Sequence, residues 1–487
     1  MNVVETMPTE LQLVSPPTMP QARSYRSGFL SDLQEYDVVR GNLIKINIPR
    51  LQRSYLEKDT YLQFRLNVDV VTAAANACLA LDRAGAYSLI DRIEIYDYLG
   101  GTLLEQTNQV GPLMTVLNDV NVAADDYNDI MQAIEGYEGS GVGVNTNVTT
   151  DYLEMRTSPS GRFLGRETGG GTANRCWVLD LAIRLPSFLG MFSEKLCPLH
   201  NGFTVNVYLN SKEQAMITRT YIPTQNAATN STVSNLSITQ AWVSNVVLDC
   251  GILELGDTAE SLLMSTQPWV IHSKQYRNFR DNVDKNTSYK RLDLNLNVVS
   301  LRNIYAIQRP WDWQNSLGFP SIGERVRNYL QRFNFQYGSS YLPSVNGILC
   351  RGEKPDYTKS SGYVVTDNKA GDFGPAYYSM FKSSRTKTPS INLNEFIRDV
   401  VNADDPPFGN TNTTYSGKFI ACLNTQLTPK SIISGLDTNG LMVGLNFNFY
   451  IDPTDTTATQ INTVLDVWAE HDTFIQVIPG VATTVTF

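Results

Sequence analysis

The sequence predicts an all-β chain folded as two tandem β-sandwiches of the jelly-roll kind, with short helices and long loops. Three observations predict it. Apolar and polar residues alternate at period two in many short runs. Turns rich in Gly and Asn separate those runs. The same style of run recurs in both halves. A length of 487 residues also exceeds one ordinary core, at about 100–200 residues per domain, so two large units are expected.

The elements follow in order. Residues 1–30 hold Pro8, Pro16, Pro17 and Pro20 and show no period. They predict an extended arm, either a tail or a strap that orders against neighbouring subunits. Ile44, Ile46 and Ile48 give the first strand. Leu62, Phe64, Leu66, Val68 and Val70, alternating with Gln63, Arg65, Asn67 and Asp69, give a stronger one. Ile93 and Ile95 give a third, and the Gly100-Gly101 turn follows it. From 111 to 136 the apolar residues fall at helical spacing, with Gly136 as the stop. Residues 137–174 read as a long loop. Leu179, Leu181, Ile183 and Leu185 make a strand that Pro186 stops, and Ser187–Phe192 predicts a short helix. Phe203, Val205, Val207 and Leu209 make another strand, and residues 236–250 close the first block.

The second block repeats the style. Leu292, Leu294, Leu296 and Val298 predict a strand, as do Phe333 and Phe335 ahead of Gly338. Residues 344–414 form a long polar loop. Asn439-Gly440 signals a hairpin turn before Leu445, Phe447, Phe449 and Ile451. The ending FIQVIPGVATTVTF reads as a further hairpin. The expected division is an arm at 1–30, one jelly roll at 31–250 and a second at 251–487. Arg92–Tyr96 matches Arg332–Gln336 in pattern, and the strands at 62–70 and 292–298 share a similar offset. Both pairings predict duplicated halves.

Charge and composition exclude several classes. The net charge is −9, and the arm carries only Arg23 and Arg26 as cations. Affinity for phosphate comes mainly from Lys and Arg, so sequence-specific nucleic-acid binding is not expected. Charged residues are 18% of the chain, below the roughly 25% of average globular domains. Asn, Thr, Ser, Gly and Tyr fill the gap, which suits strands, turns and polar interfaces. The N-terminus lacks the basic start and apolar run of a signal peptide. No stretch reaches the roughly 18 apolar residues of a membrane span. The sequons at Asn147 and Asn412 read as loop composition. The six cysteines, Cys78, Cys176, Cys197, Cys250, Cys350 and Cys422, form no C-x-x-C pair and read as buried, reduced thiols.

A search for chemistry finds no catalytic, cofactor or metal residue to assign. His200, His272 and His471 are far apart and lack zinc-ligand spacing. Nucleophile-elbow, phosphate-loop and zinc-protease motifs are absent. Gly165–Gly171 is Gly-rich but reads as loop. The pairs Asp125-Asp126 and Asp404-Asp405, with Trp311 and Trp313, keep open a carbohydrate-binding or carbohydrate-cleaving β-sandwich. The same tryptophans, and the cluster Tyr377, Tyr378 and Phe381, suit interface or loop packing better. No enzyme is expected.

The order of segments resembles the double jelly-roll major capsid proteins of eukaryotic double-stranded DNA viruses, especially polinton-like viruses and virophages. The likeness is carried by SLIDRIEIYDYLGGTLLEQTN (Ser88–Asn108) with the amphipathic helix after it. LDLAIRLPSFLGMFSEKLCPLHNGFTVNVYLN (Leu179–Asn210) and the ending VWAEHDTFIQVIPGVATTVTF (Val467–Phe487) also carry it. It spans the chain roughly from Asp37 onward, leaving out 137–174 and 344–414. The resemblance implies two eight-stranded jelly rolls side by side. It implies a homotrimer of pseudo-hexameric outline that tiles an icosahedral virion shell. The partners it implies are neighbouring capsomers, minor capsid, penton and cement proteins, and an internal membrane. It carries no catalytic residues, and 344–414 is the candidate for the largest outward tower.

Overall fold

The computed structural model describes residues 22–72, 77–122, 163–166, 172–193, 196–222, 227–229, 236–257, 260–261, 269–311, 317, 321–323, 325–350, 374–384, 391, 396, 418–426, 433–449 and 461–486. The first roll holds β1 (Ala22–Leu30), β2 (Leu43–Ile48), β3 (Ser54–Thr72), β4 (Ile90–Asp97), β5 (Leu103–Asn108), β6 (Ala173–Arg184), β7 (Phe203–Leu209) and β8 (Leu236–Leu255). The second holds β9 (Trp269–Val283), β10 (Tyr289–Leu294), β11 (Leu301–Pro310), β12 (Leu330–Tyr337), β13 (Ser340–Leu342), β14 (Ala421–Asn424), β15 (Val443–Phe449) and β16 (Thr463–Ile478). A last strand, β17 (Val481–Thr486), folds back on β16.

The pairing gives the connectivity. In the first roll the facing sheets run β1-β8-β3-β6 and β2-β7-β4-β5. In the second they run β9-β16-β11-β14 and β10-β15-β12-β13. Adding eight to each label of the first roll produces the second. This is jelly-roll order, repeated in tandem.

Alternation explains why each sheet closes on a core. On β3, Leu62, Leu66, Val68 and Val70 are buried while Gln63 is exposed. Its wet side carries Arg65, whose Nε donates to Asp180 Oδ1 on β6 at 2.7 Å. The buried apolar residues form one continuous cluster that runs through both rolls.

The antiparallel order also sorts the connections. Loops β1–β2, β3–β4, β5–β6 and β7–β8 leave one end of the first roll, and β2–β3, β4–β5 and β6–β7 leave the other. The same holds in the second roll. The longest excursions, 109–172 and 350–420, share the first end. There Ala77–Leu81, Phe163–Arg166, Met216–Ile222 and Ala227–Thr229 build an additional small sheet. Ala22 and Leu255 lie at the opposite, short-loop end, as do the start of β9 and the end of β16.

Several expectations are corrected. The arm expected at 1–30 loses its inner part, because Ala22–Leu30 pairs with Val247–Leu255. Its half-buried Tyr25, Ser27 and Phe29 do alternate, but Ser27 and Gly28 blur the pattern. Residues 1–21 lie outside the described residues. The boundary expected at 250/251 falls inside β8, which runs to Leu255. The helix predicted at 111–136 is α1 (Val110–Asn121), and residues 123–150 lie outside the described residues. Ser187–Phe192 is a turn and not a helix. It wraps around the Leu185 carbonyl, where a side chain at Gly190 would come within 2.3 Å of that oxygen.

The strand expected over 292–298 stops at Leu294. Leu296 and Val298 stay buried, but the Val298 N–H donates to Thr438 Oγ1 instead of a ladder partner. Its likeness to 62–70 is therefore accidental: β10 occupies the place of β2, and the counterpart of β3 is β11. The match of Arg92–Tyr96 with Arg332–Gln336 does pair equivalent strands, β4 and β12. Within 344–414 the described residues include a short strand, Ile348–Leu349, and α2 (Gly374–Ser383). The cluster Tyr377, Tyr378 and Phe381 thus sits on a helix.

Candidate assembly surfaces and the seam between the rolls

The two rolls meet across a buried polar seam. Strand β16 explains it. Every residue of Thr463–Thr473 on β16 is buried, so both faces of that stretch are covered. Asp466, Trp468, Glu470 and Asp472 alternate onto one face, which meets the first roll: Trp468 Nε1 donates to the Asn108 carbonyl at 3.3 Å. Three carboxylates on a covered face need partners, because an unpaired buried charge is costly.

Each carboxylate has its partners. Arg309 Nε donates to Asp466 Oδ2 at 2.9 Å, and Arg309 Nη2 also reaches Gln109 Oε1 across the seam at 3.1 Å. Gln109 in turn donates to Asp91 Oδ1 at 2.6 Å, whose carboxyl burial pushes up. Asn303 and Tyr305 donate to Glu470 Oε2 at 2.9 and 3.2 Å. Asp472 receives His272 Nε2, Ser300 and Arg302 at 2.7, 2.5 and 2.8 Å. Burial alone would raise the Asp472 carboxyl. Its three hydrogen bonds outweigh burial and hold it at about 2.

Helix α1 is the other half of the seam. All residues from Val110 to Val120 are buried. Asp119 accepts from Arg83 Nη2 at 2.5 Å and from Arg325 Nη2, and all three side chains are at most 4% exposed. Arg325 belongs to the second roll, so one carboxylate ties the two together. Asp82 receives the Ile322 and Gly323 N–H groups at 3.1 and 2.8 Å.

At the short-loop end Asn201 Nδ2 donates to the Val481 carbonyl at 2.7 Å, and Thr483 donates to Asp97 at 2.9 Å. The long-loop ends therefore lie together, as do the short-loop ends. The rolls stand parallel.

The residues singled out from sequence are dispersed. His200 pairs with Glu260, His272 with Asp472, and His471 Nδ1 lies 3.3 Å from the Asp472 carbonyl. Burial pushes His471 down. Among the described residues no group of three or more His, Cys, Asp or Glu could hold a metal ion. Gly165 lies in a short strand against Trp177, where a side chain would come within 2.5 Å of the indole, and 167–171 lie outside the described residues.

Cys197, Cys250, Cys350 and Cys422 are buried free thiols. Cys176 is exposed, on the wet side of β6, which corrects the expectation of burial for it. Nothing is described of the Cys78 side chain. Trp311 is 49% exposed at the end of β11. Trp313 and the pairs at 125–126 and 404–405 lie outside the described residues, leaving the sugar-binding reading on Trp311 alone. On α2 Tyr377 turns inward to the Ile391 carbonyl at 3.1 Å, while Tyr378 and Phe381 are 59% and 38% exposed.

Apart from His272, the seam residues were not singled out from sequence. Carboxylates at alternating positions of the apolar run TVLDVWAEHDTF were the signal that could have found them.

No protein-family model matches the chain, and no curated protein matches it. Solved structures do. The mavirus major capsid protein aligns with a TM-score of 0.57 at 10% identity, covering 95% of this chain and 90% of that one. A chain of the Sputnik virophage particle, seen by cryo-electron microscopy, gives 0.54 at 12% identity, covering 100% and 93%. The chain has the double jelly-roll fold. The continuous apolar core joins the rolls, and the seam adds polar pairings that fix how one stands against the other.

Proposed function

We propose that this chain is the major capsid protein of an icosahedral double-stranded DNA virus. It is a structural subunit of the virion shell and not an enzyme. It forms homotrimers whose six jelly rolls give a pseudo-hexameric capsomer. The observation that carries this reading is the parallel pair of eight-stranded rolls, locked by a buried seam, with short loops at one end and long excursions at the other. Rolls standing together this way present a constant side wall to neighbours, while loops at the end grow freely. The long-loop end is the outward face.

The net charge of −9 suits a coat that leaves the genome to other proteins. Its partners in this reading are neighbouring capsomers and minor capsid or penton proteins. We further place the junction between the rolls in residues 256–268, between β8 and β9. Negative-stain electron microscopy of the purified protein tests the reading: trimers or shells are expected. A monomer that persists at high concentration overturns it.

A further inference from the structure

At the short-loop end a cavity of about 540 Å³ opens between the rolls, lined by Arg50, Arg53, His200 and Glu260 from one side and Ile478 and Pro479 from the other. Its charges are unequally used. Glu260 Oε1 lies 2.5 Å from His200 Nε2, and Glu260 Oε2 accepts from Tyr55 at 3.1 Å. Arg53 pairs with Asp257. Arg50 donates only its Nε, to the His200 carbonyl at 3.2 Å, and meets no carboxylate among the described residues. His200 is 8% exposed, and its Nδ1 has no hydrogen-bond partner. Glu260, the one acid of the lining, and Asp257 beside Arg53 are thus spoken for, and one guanidinium is left over.

We propose that this cavity receives the N-terminal segment of the same chain, residues 1–21, with Glu10 paired to Arg50. Three observations converge on that occupant. The first is place. Ala22 is paired opposite Leu255, and the Leu255 N–H donates to the Arg53 carbonyl at 2.8 Å. The segment therefore leaves the fold about two strand spacings, roughly 10 Å, from the cavity wall. The stretch from Glu10 to Ala22 reaches about 40 Å when extended, so it spans that gap with room to turn back.

The second is charge. Residues 1–21 contain Glu5 and Glu10 and no Lys, Arg, Asp or His. The segment is purely acidic and the unused charge of the cavity is positive. The third is surface. Leu11, Leu13 and Val14 follow Glu10, and the lining that holds Arg50 also holds Ile478 and Pro479. A carboxylate on the arginine puts apolar residues next to an apolar wall.

The test uses the full chain as isolated subunits, so it does not depend on shell formation. A photoreactive phenylalanine analogue replaces Leu11, and cross-linked peptides are mapped by mass spectrometry. Cross-links to Arg50–Arg53 or Ile478–Gly480 are expected. Arg50→Glu should lower their yield by roughly threefold, the scale of one exposed ion pair, and adding Glu10→Arg should restore it. Arg50 is exposed, so an unchanged melting temperature verifies that the variant folds. Cross-links that map elsewhere, or a yield indifferent to Arg50→Glu, overturn the proposal. Mixing isotopically light and heavy subunits separates the remaining occupant: light-to-heavy cross-links would seat a neighbour's segment there and refute the assignment to the same chain.

Discussion

Asp119 accepts from two guanidiniums, Arg83 and Arg325, in a place without solvent. The attraction within such a cluster roughly offsets the cost of drying it, so the cluster adds little net stability while whole. Removing the shared carboxylate is different, since it strands two buried cations. Asp119→Ala should therefore cost about 3–5 kcal/mol in urea unfolding, whereas Asp119→Asn, which keeps an acceptor oxygen, should cost less. Equal loss in the two variants would show that the charge is not what matters. Glu105 is the opposite case, a buried acid with one bond, from the Phe188 N–H at 2.9 Å. Burial pushes its carboxyl up to about 8 against that bond. The folded protein thus holds this proton more tightly than the unfolded chain does. The resulting stability is complete below about pH 4.5 and is lost as pH rises through about 8. Glu105→Gln should flatten this part of the stability–pH curve, by a few kcal/mol over the window in order of magnitude. Denaturant midpoints at pH 5, 7 and 9 check it, and parallel curves for the two proteins would rule it out.

Elements were legible in the sequence where one face is wet. Strands β2, β3 and β7 alternate because one side of each is wetter than the other, and β4 and β12 alternate in residue type although Glu94 and Asn334 on their polar faces are buried. Strands β11 and β16 were hard to read for the opposite reason. Arg302, Asn303, Gln308 and Arg309 on β11 are all buried, so a rule that assigns charged residues to the wet face has nothing to grip. The pairing across the seam was illegible, because Gln109 and Arg309 become partners only through the fold; only the alternating carboxylates of β16 hinted at it. Helix α1 shows the same limit. Its spacing announced a helix, but its covered outer face answers to the second roll. Gly111 marks how closely it is held: a side chain there would come within 2.8 Å of Ile322 and 3.0 Å of the Tyr87 carbonyl. Gly111→Val should force α1 away from both and cost about 1–3 kcal/mol, as overpacking does. Gly111→Ala should cost less, and a melting temperature unchanged in the Val variant would mean that the contact yields freely.

At the scale of the molecule, tandem rolls could behave as two beads on a string or as one body. The continuous core and the seam favour one body. The face of β16 bearing Asp466, Trp468, Glu470 and Asp472 is acceptable only when covered, and so is α1, which is buried over its whole length. Separated halves would each expose apolar and strand-forming surface, which drives aggregation. Calorimetry of the whole chain should therefore show one transition. Residues 22–257 and 269–487 expressed as separate chains should each be insoluble or unable to melt cooperatively. Expressed together they should recover a soluble pair, because no described strand crosses the cut. A half that stays soluble and melts cooperatively alone would mean that the rolls are independent domains. The seam would then be a contact formed after folding and not a condition of it.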